Sequence, residues 1–232
     1  VAIASSIYKQ FPSLEKRFQK YGQTMLARIG DGGYNLGTNF PWKKVSDLKG
    51  HKILAAGPNL PWVKGGIPVR TTIPTAAQQL QTGVGEGIVL FPDTDYKLKL
   101  HEATKGGYYT ITDFGAVVQI ALTMNLKTRG KLPPEVVKII DEVAKEFTTH
   151  SMASGMKDHD WGIQKLKEAG VIIKTIDPAA KKAWAEELKD WPNERAQAVK
   201  KKKGIDMPTI MRAYIQMQKD DGHKFPVDYV IK

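Results

Sequence analysis

The sequence contains no cysteine. Disulfides, thiol catalysis and thiolate metal sites are therefore excluded together, although the compartment is not settled by that absence. No run of about 18 or more apolar residues occurs, so no helix is predicted to span a membrane. No basic, apolar, small-residue leader precedes Val1 and there is no initiator Met, which predicts a processed or truncated product. What remains is ordinary for a globular chain of 232 residues, with 41% hydrophobic and 25% charged side chains.

Catalytic signatures are also missing. The glycines of "TGVGEG", at 83, 85 and 87, follow a predicted helix and precede a predicted strand, so order and spacing both fail the dinucleotide loop. His101 begins "HEATK" without a second histidine four residues on, and His51, His150, His159 and His223 are scattered, each better read as a surface or capping residue than as a ligand. Asp93 and Asp95 form an acid pair only if they do not cap the helix that follows Pro92, and capping is the simpler reading. There is neither a nucleophile elbow nor a P-loop. The chain is therefore predicted not to be an enzyme, with no catalytic residue, no metal site and no cofactor.

The net charge is +11, with a pI near 9.6. Much of the excess lies in Lys-rich C-terminal segments such as Lys200–Lys203, without interleaved aromatic residues or a nucleic-acid module, so no nucleic-acid partner is predicted.

Strand-like and helix-like segments alternate at α/β spacing. Residues 12–27 place Leu14, Phe18, Tyr21, Met25 and Leu26 at helical intervals; "YNLGTNF", "HKILAA", "PVRTTI", "GIVLFP" and "VIIKTI" read as strands. The stretch from Pro134 to Gly170 is the longest helical pattern, with an apolar stripe at Val136, Ile139, Ile140, Val143, Ala144 and Phe147 and a candidate kink at Gly155.

The ordered set "DLKGHKI", "GGIPVRTTIPTAAQQLQTGVGEG" and "LTMNLKTRGKLPPEVVKIIDEVAKEF" resembles the solute-binding proteins of tripartite ATP-independent periplasmic (TRAP) transporters, over roughly residues 10–225. The resemblance implies a periplasmic-binding-protein-like α/β fold of two lobes with a hinge and a long spanning helix, lacking the N-terminal part of the first lobe. On that basis residues 1–31 and 116–155 would form the rest of lobe I, 32–115 and 156–205 lobe II, and 206–232 a C-terminal helix and tail. It further implies a periplasmic receptor that closes on a small-molecule carboxylate or related organic solute and delivers it to TRAP membrane permease subunits. A periplasmic α/β enzyme acting on an organic acid is the alternative, and it would need machinery that the sequence does not display.

One departure matters. Leu54 stands where the family pattern has an arginine able to hold a carboxylate bidentately, so that clamp does not carry over. Arg70 is the candidate replacement charge, with Thr71 and Thr72 beside it, although alternation along a strand forbids all three from facing one ligand. Asn59, Trp62 and Phe91 offer an amide and two aromatic surfaces, and the two rings serve equally well as core residues. Tyr34, Asn35 and Asn39 are further candidates on the entry to the second lobe, while Glu86 reads as a turn cap.

Overall fold

The computed structural model describes residues 2–104, 107–114 and 117–232. In chain order the elements are α1 (Ala2–Gln10), α2 (Ser13–Lys20), β1 (Gln23–Gly33), β2 (Asn35–Thr38), β3 (Lys52–Ala56), β4 (Ile67–Thr71), α3 (Ile73–Gln81) and β5 (Gly87–Leu90). They continue with α4 (Pro92–Lys97), α5 (Leu100–Ala103), β6 (Tyr108–Ile111), β7 (Val117–Asn125), α6 (Leu126–Arg129) and α7 (Pro134–Glu168). The chain finishes with β8 (Ile172–Thr175), α8 (Pro178–Glu186), α9 (Trp191–Lys203) and α10 (Met207–Asp220). Short 3-10 turns at Val45–Leu48 and Gly57–Trp62 flank β3. The α/β class expected from the sequence is observed.

The chain divides into two compact units, residues 1–31, 118–154 and 189–232 (unit 1) and residues 32–117 and 155–188 (unit 2). The expected boundaries need correction at the C-terminal side. Residues 189–205 belong with unit 1 and not with lobe II, because α9 packs on α10, which in turn packs on α1. The tail is tied to the same helices: Asn193 Oδ1 accepts from the Lys232 N–H at 2.9 Å, and Gln197 and Arg212 donate to the carbonyls of Lys232 and Ile231. The Lys200–Lys203 run forms the last turn of α9, where cations complement the helix dipole, and Gly204 closes the helix.

The helix expected over residues 12–27 is the second correction. α2 stops at Lys20, Gly22 takes a left-handed φ of +67°, and the chain continues as β1, which pairs with β7. The left-handed glycine ends the helix, and strand pairing overrides the helical spacing of Met25 and Leu26. β1 is held to α7 at Arg28, whose N–H donates to Thr148 Oγ1 and whose carbonyl accepts from Ser151 Oγ. Helix α7 runs without interruption through Gly155.

Unit 2 is built on a six-stranded sheet of order β4-β3-β5-β2-β6-β8. β3 is parallel to β4 and β5, β6 is parallel to β8, and β2 lies antiparallel to both β5 and β6. Five strands thus point one way and β2 alone is reversed. One face buries Leu36, Ile53, Ala55 and Val89 with Trp42, Leu48, Ile176 and Trp184. The other buries Leu54, Ile88 and Leu90 beneath Ala76, Leu80 and Leu100 of α3 and α5. Leu54 is fully buried at the centre of that second cluster. Its side chain packs under α3, and this is the physical content of the leucine that departs from the family pattern.

Asp93 and Asp95 do not cap α4, whose N-cap residue is Phe91 and has no side-chain cap. Asp93 pairs with Lys97 at 3.0 Å, and Asp95 is buried with its Oδ1 at 3.9 Å from His101 Nδ1, beyond hydrogen-bond reach. Burial pushes the Asp95 carboxyl up to about 7, partly offset by the backbone N–H of His101. The neutral acid is thus the form the fold prefers. Its contribution to stability is present below the ordinary carboxylate value of 3.8 and is lost as pH climbs to about 7.

Two outcomes are expected. Asp95→Asn removes this term, so its unfolding midpoint between pH 4 and pH 8 varies less than that of the wild type when both are followed by circular dichroism. Leu54→Ala leaves a cavity under α3 and lowers the unfolding free energy by about 2–5 kcal/mol in urea titration.

Candidate functional site

In open α/β sheets, ligands bind at the carboxyl ends of the strands where neighbouring connections leave in opposite directions. That point lies here between β3 and β5. From β3 the chain turns through Gly57–Trp62 to β4 on one side; from β5 it passes through α4 and α5 to β6 on the other. Because β2 is reversed, its first residues arrive at the same edge, with Asn35 opposite Leu90.

Several residues singled out in the sequence meet at this edge. Tyr34 lies against Phe91, ring centroids 4.1 Å apart, and edge-on to Trp62 at 5.3 Å. The Trp62 carbonyl accepts from Trp184 Nε1 at 2.8 Å, which fixes the turn that carries it. All three rings are half-buried, packed against a core yet with part of each surface open. Tyr34, Ala56, Thr71, Thr72 and Phe91 line a cavity of about 80 Å³, room for only part of a small ligand.

Arg70, next to last in β4, is exposed and paired with Ala55, on the opposite sheet face from Val69 and Thr71. Its guanidinium rests over Gly57, with one nitrogen 3.3 Å from where a Cβ would stand, so a side chain at residue 57 would crowd it. Among the described residues Arg70 has no carboxylate partner. Asn59 is 94% buried by its 6% exposure, and its Nδ2 has no hydrogen-bond partner among the described residues. A buried amide left in this way costs free energy until an acceptor reaches it.

Two expected site residues behave differently. The Thr71 hydroxyl is held by Gln79 Oε1 at 2.5 Å and by the Thr72 carbonyl, so it supplies surface and no donor. Asn39 follows the far end of β2, where its N–H donates to the Glu86 carbonyl, and it lies at the amino edge of the sheet away from the others. The reversal of β2 separates Tyr34 from Asn39 by the length of the strand. Glu86 clamps that amino edge: it accepts from the Lys52 N–H, which is the main cause holding its carboxyl below 4.5, and it faces His51 Nδ1 at 2.9 Å.

The carboxyl edge also carries Asp113, His159 and Lys181, which sequence reasoning did not bring forward as site residues, beside Asn35, which it did. At the ends of β6 and β8 a cavity of about 560 Å³ is lined by Asn35, Asp113, His159, Thr175 and Lys181, a volume within the usual range for small-molecule sites. Lys181 Nζ meets Asp113 Oδ2 at 2.8 Å. Asp113 was legible in principle as a polar residue directly after a β-forming run; His159 and Lys181 come from helices distant in sequence and carried no such signal. No cluster of metal-ligating side chains occurs among the described residues. Among the described residues the edge therefore holds aromatic walls, fixed charges and amides, with no nucleophile paired to a base.

Comparison with known proteins agrees. Residues 4–197 match the family of bacterial extracellular solute-binding proteins, family 7. Among curated proteins no significant match is found. A TRAP solute binding protein specific for pyroglutamate, from an unidentified microbe of a marine metagenome, superposes with a TM-score of 0.78 at 18% identity, over 93% of this chain and 70% of that one. An extracytoplasmic solute receptor of Bordetella pertussis that binds pyroglutamic acid gives 0.78 at 22% identity, with the same 93% and 70%. A TRAP periplasmic solute binding protein from a Sulfitobacter species with bound β-D-galacturonate gives 0.75 at 20% identity, over 88% and 67%. With more than half its length matched, this chain belongs to family 7 of the bacterial extracellular solute-binding proteins, as a receptor and not an enzyme.

Proposed function

We propose that the chain is the periplasmic solute receptor of a TRAP transporter, which takes up a small organic acid at the carboxyl edge of unit 2 and delivers it to the membrane permease subunits. The observation that carries this reading is Arg70, a guanidinium seated on Gly57 without a carboxylate partner among the described residues. An arginine presented in this way suits a carboxylate, which it can grip through two parallel hydrogen bonds. The Asn59 amide would donate to a second oxygen of the solute, and Tyr34, Trp62 and Phe91 would form its apolar walls. Family membership and the carboxylic acids bound by the similar receptors support the same class of ligand. Thr71 and Asn39 have no part in the proposed contacts.

Leu54 bears on specificity. With a core leucine in place of the family's arginine, Arg70 is the cation proposed for the carboxylate, so a solute with one acidic group and an otherwise neutral body suits the edge better than a dicarboxylate.

A thermal-shift series with pyroglutamate, D-glucuronate, D-galacturonate and succinate tests the proposal, because a ligand bound only by the folded state raises its apparent stability. At least one monocarboxylate is expected to raise the midpoint, succinate to have less effect, and the ligand to be recovered unchanged after prolonged incubation. Arg70→Ala is expected to weaken that binding by about 1.5–3 kcal/mol in calorimetry, the range for a hydrogen bond to a charged group. Turnover of the bound acid, or an Arg70→Ala affinity equal to wild type, would overturn the assignment.

A further inference from the structure

The buried side chain of Asn35 has an orientation fixed by its own neighbours. One end of the amide lies 3.0 Å from the Thr112 N–H and 3.1 Å from the Asp113 N–H, so that end must be the accepting Oδ1. The other end is then the donor Nδ2, and it lies 3.4 Å from the Gly33 carbonyl and 3.2 Å from His159 Nε2. A donor facing Nε2 requires that nitrogen to offer its lone pair. The ring proton therefore sits on Nδ1, where Asp160 Oδ1 at 3.3 Å can accept it. An Nε2–H tautomer would set two donors against each other.

The consequence lies at the end of β6. Asp113 has a φ of +46°, in the left-handed region that a non-glycine residue enters at a cost unless its surroundings hold it there. Asn35 Oδ1 holds its N–H, the Tyr34 carbonyl accepts from the N–H of Phe114 next in the chain, and the Asp113 carboxylate takes up Lys181. From these contacts we infer that His159 is a positioning residue for ligand recognition: its Nε2 orients the Asn35 amide, which fixes the Asp113 corner and with it the Asp113–Lys181 pair at the mouth of the larger cavity. The inference rests on the receptor function proposed above, with that cavity continuing the binding edge from Tyr34 towards β8. His159 acts through Asn35 and needs no contact with the solute.

The test has ligand-free and ligand-bound arms on the full chain. In long-range nitrogen–proton spectra of the ¹⁵N-histidine-labelled protein, the His159 ring is expected in its Nδ1–H form. His159→Leu should speed hydrogen exchange at the Thr112 and Asp113 amides about tenfold and raise the pyroglutamate dissociation constant about five- to tenfold, the effect of losing roughly one hydrogen bond. His159→Gln, which restores an acceptor, should return both to near wild type, a rescue that mere packing would not produce. An Nε2–H ring, unchanged exchange at residues 112 and 113 in the leucine variant, or a glutamine variant that behaves like leucine would each overturn the inference. So would wild-type pyroglutamate affinity in His159→Leu. If the leucine variant fails to fold, the tautomer and the glutamine variant decide. Failure of the unmodified protein to bind any acid of the series instead overturns the receptor assignment, and the tautomer and exchange measurements still judge the His159 network by themselves.

Discussion

The reversal of one strand organises unit 2. β2 lies between β5 and β6 and runs against both, with Asn35 opposite Leu90 and Leu36 opposite Thr110. A slip of one residue would exchange its two faces, moving Leu36 out of the core it fills. Because the register is fixed, the chain enters the sheet at the carboxyl ends of its neighbours, and Tyr34 and Asn35 arrive beside the connections from β3, β5 and β6. Tyr34 and Asn35 are placed by this geometry directly, and Trp62, Phe91 and Asp113 stand on connections that these two residues touch, whereas Arg70 is placed by the pairing of β4 with β3.

Along that edge the chemistry changes character from one side to the other. Towards β4 there are the Arg70 guanidinium over a glycine, three half-buried rings and an amide that lacks an acceptor among the described residues. Towards β8 there is a carboxylate already neutralised by a lysine and braced by an asparagine and a histidine. Cation and orphaned donor attract an anionic group, whereas the satisfied pair repels none and imposes shape. Fixed dipoles and charges of this kind orient a solute without promoting reaction, and among the described residues of this edge no nucleophile is coupled to a base.

Polar groups elsewhere in unit 2 are buried for structural ends. Glu86 clamps the amino edge through the Lys52 N–H and His51, and Asp95 is buried beside His101, where loss of solvent favours its neutral form. Glu86 lies at the opposite edge from the proposed site, while Asp95 stands in the first turn of α4, its N–H donating to the carbonyl of Phe91.

By itself, the sequence was sufficient for the α/β class, for the absence of thiol and motif-borne catalysis, and for the family, because strand and helix periodicity and the order of "DLKG", "PVRTT" and "LPPEVVK" are local properties that survive without the fold. It also brought Tyr34, Asn59, Trp62, Arg70 and Phe91 forward as candidates, since each lies in or beside a strand end. Only tertiary structure decided the rest. Pairing with β7 turned residues 23–27 from helix into strand, and packing on α10 moved α9 into unit 1. The direction of β2 sent Asn39 to the wrong edge, and a hydrogen bond to α3 occupied Thr71. His159 reached Asn35 across 124 residues of chain, a contact that no periodicity encodes, because it depends on where a long helix crosses a strand end and not on the neighbours of either residue in sequence.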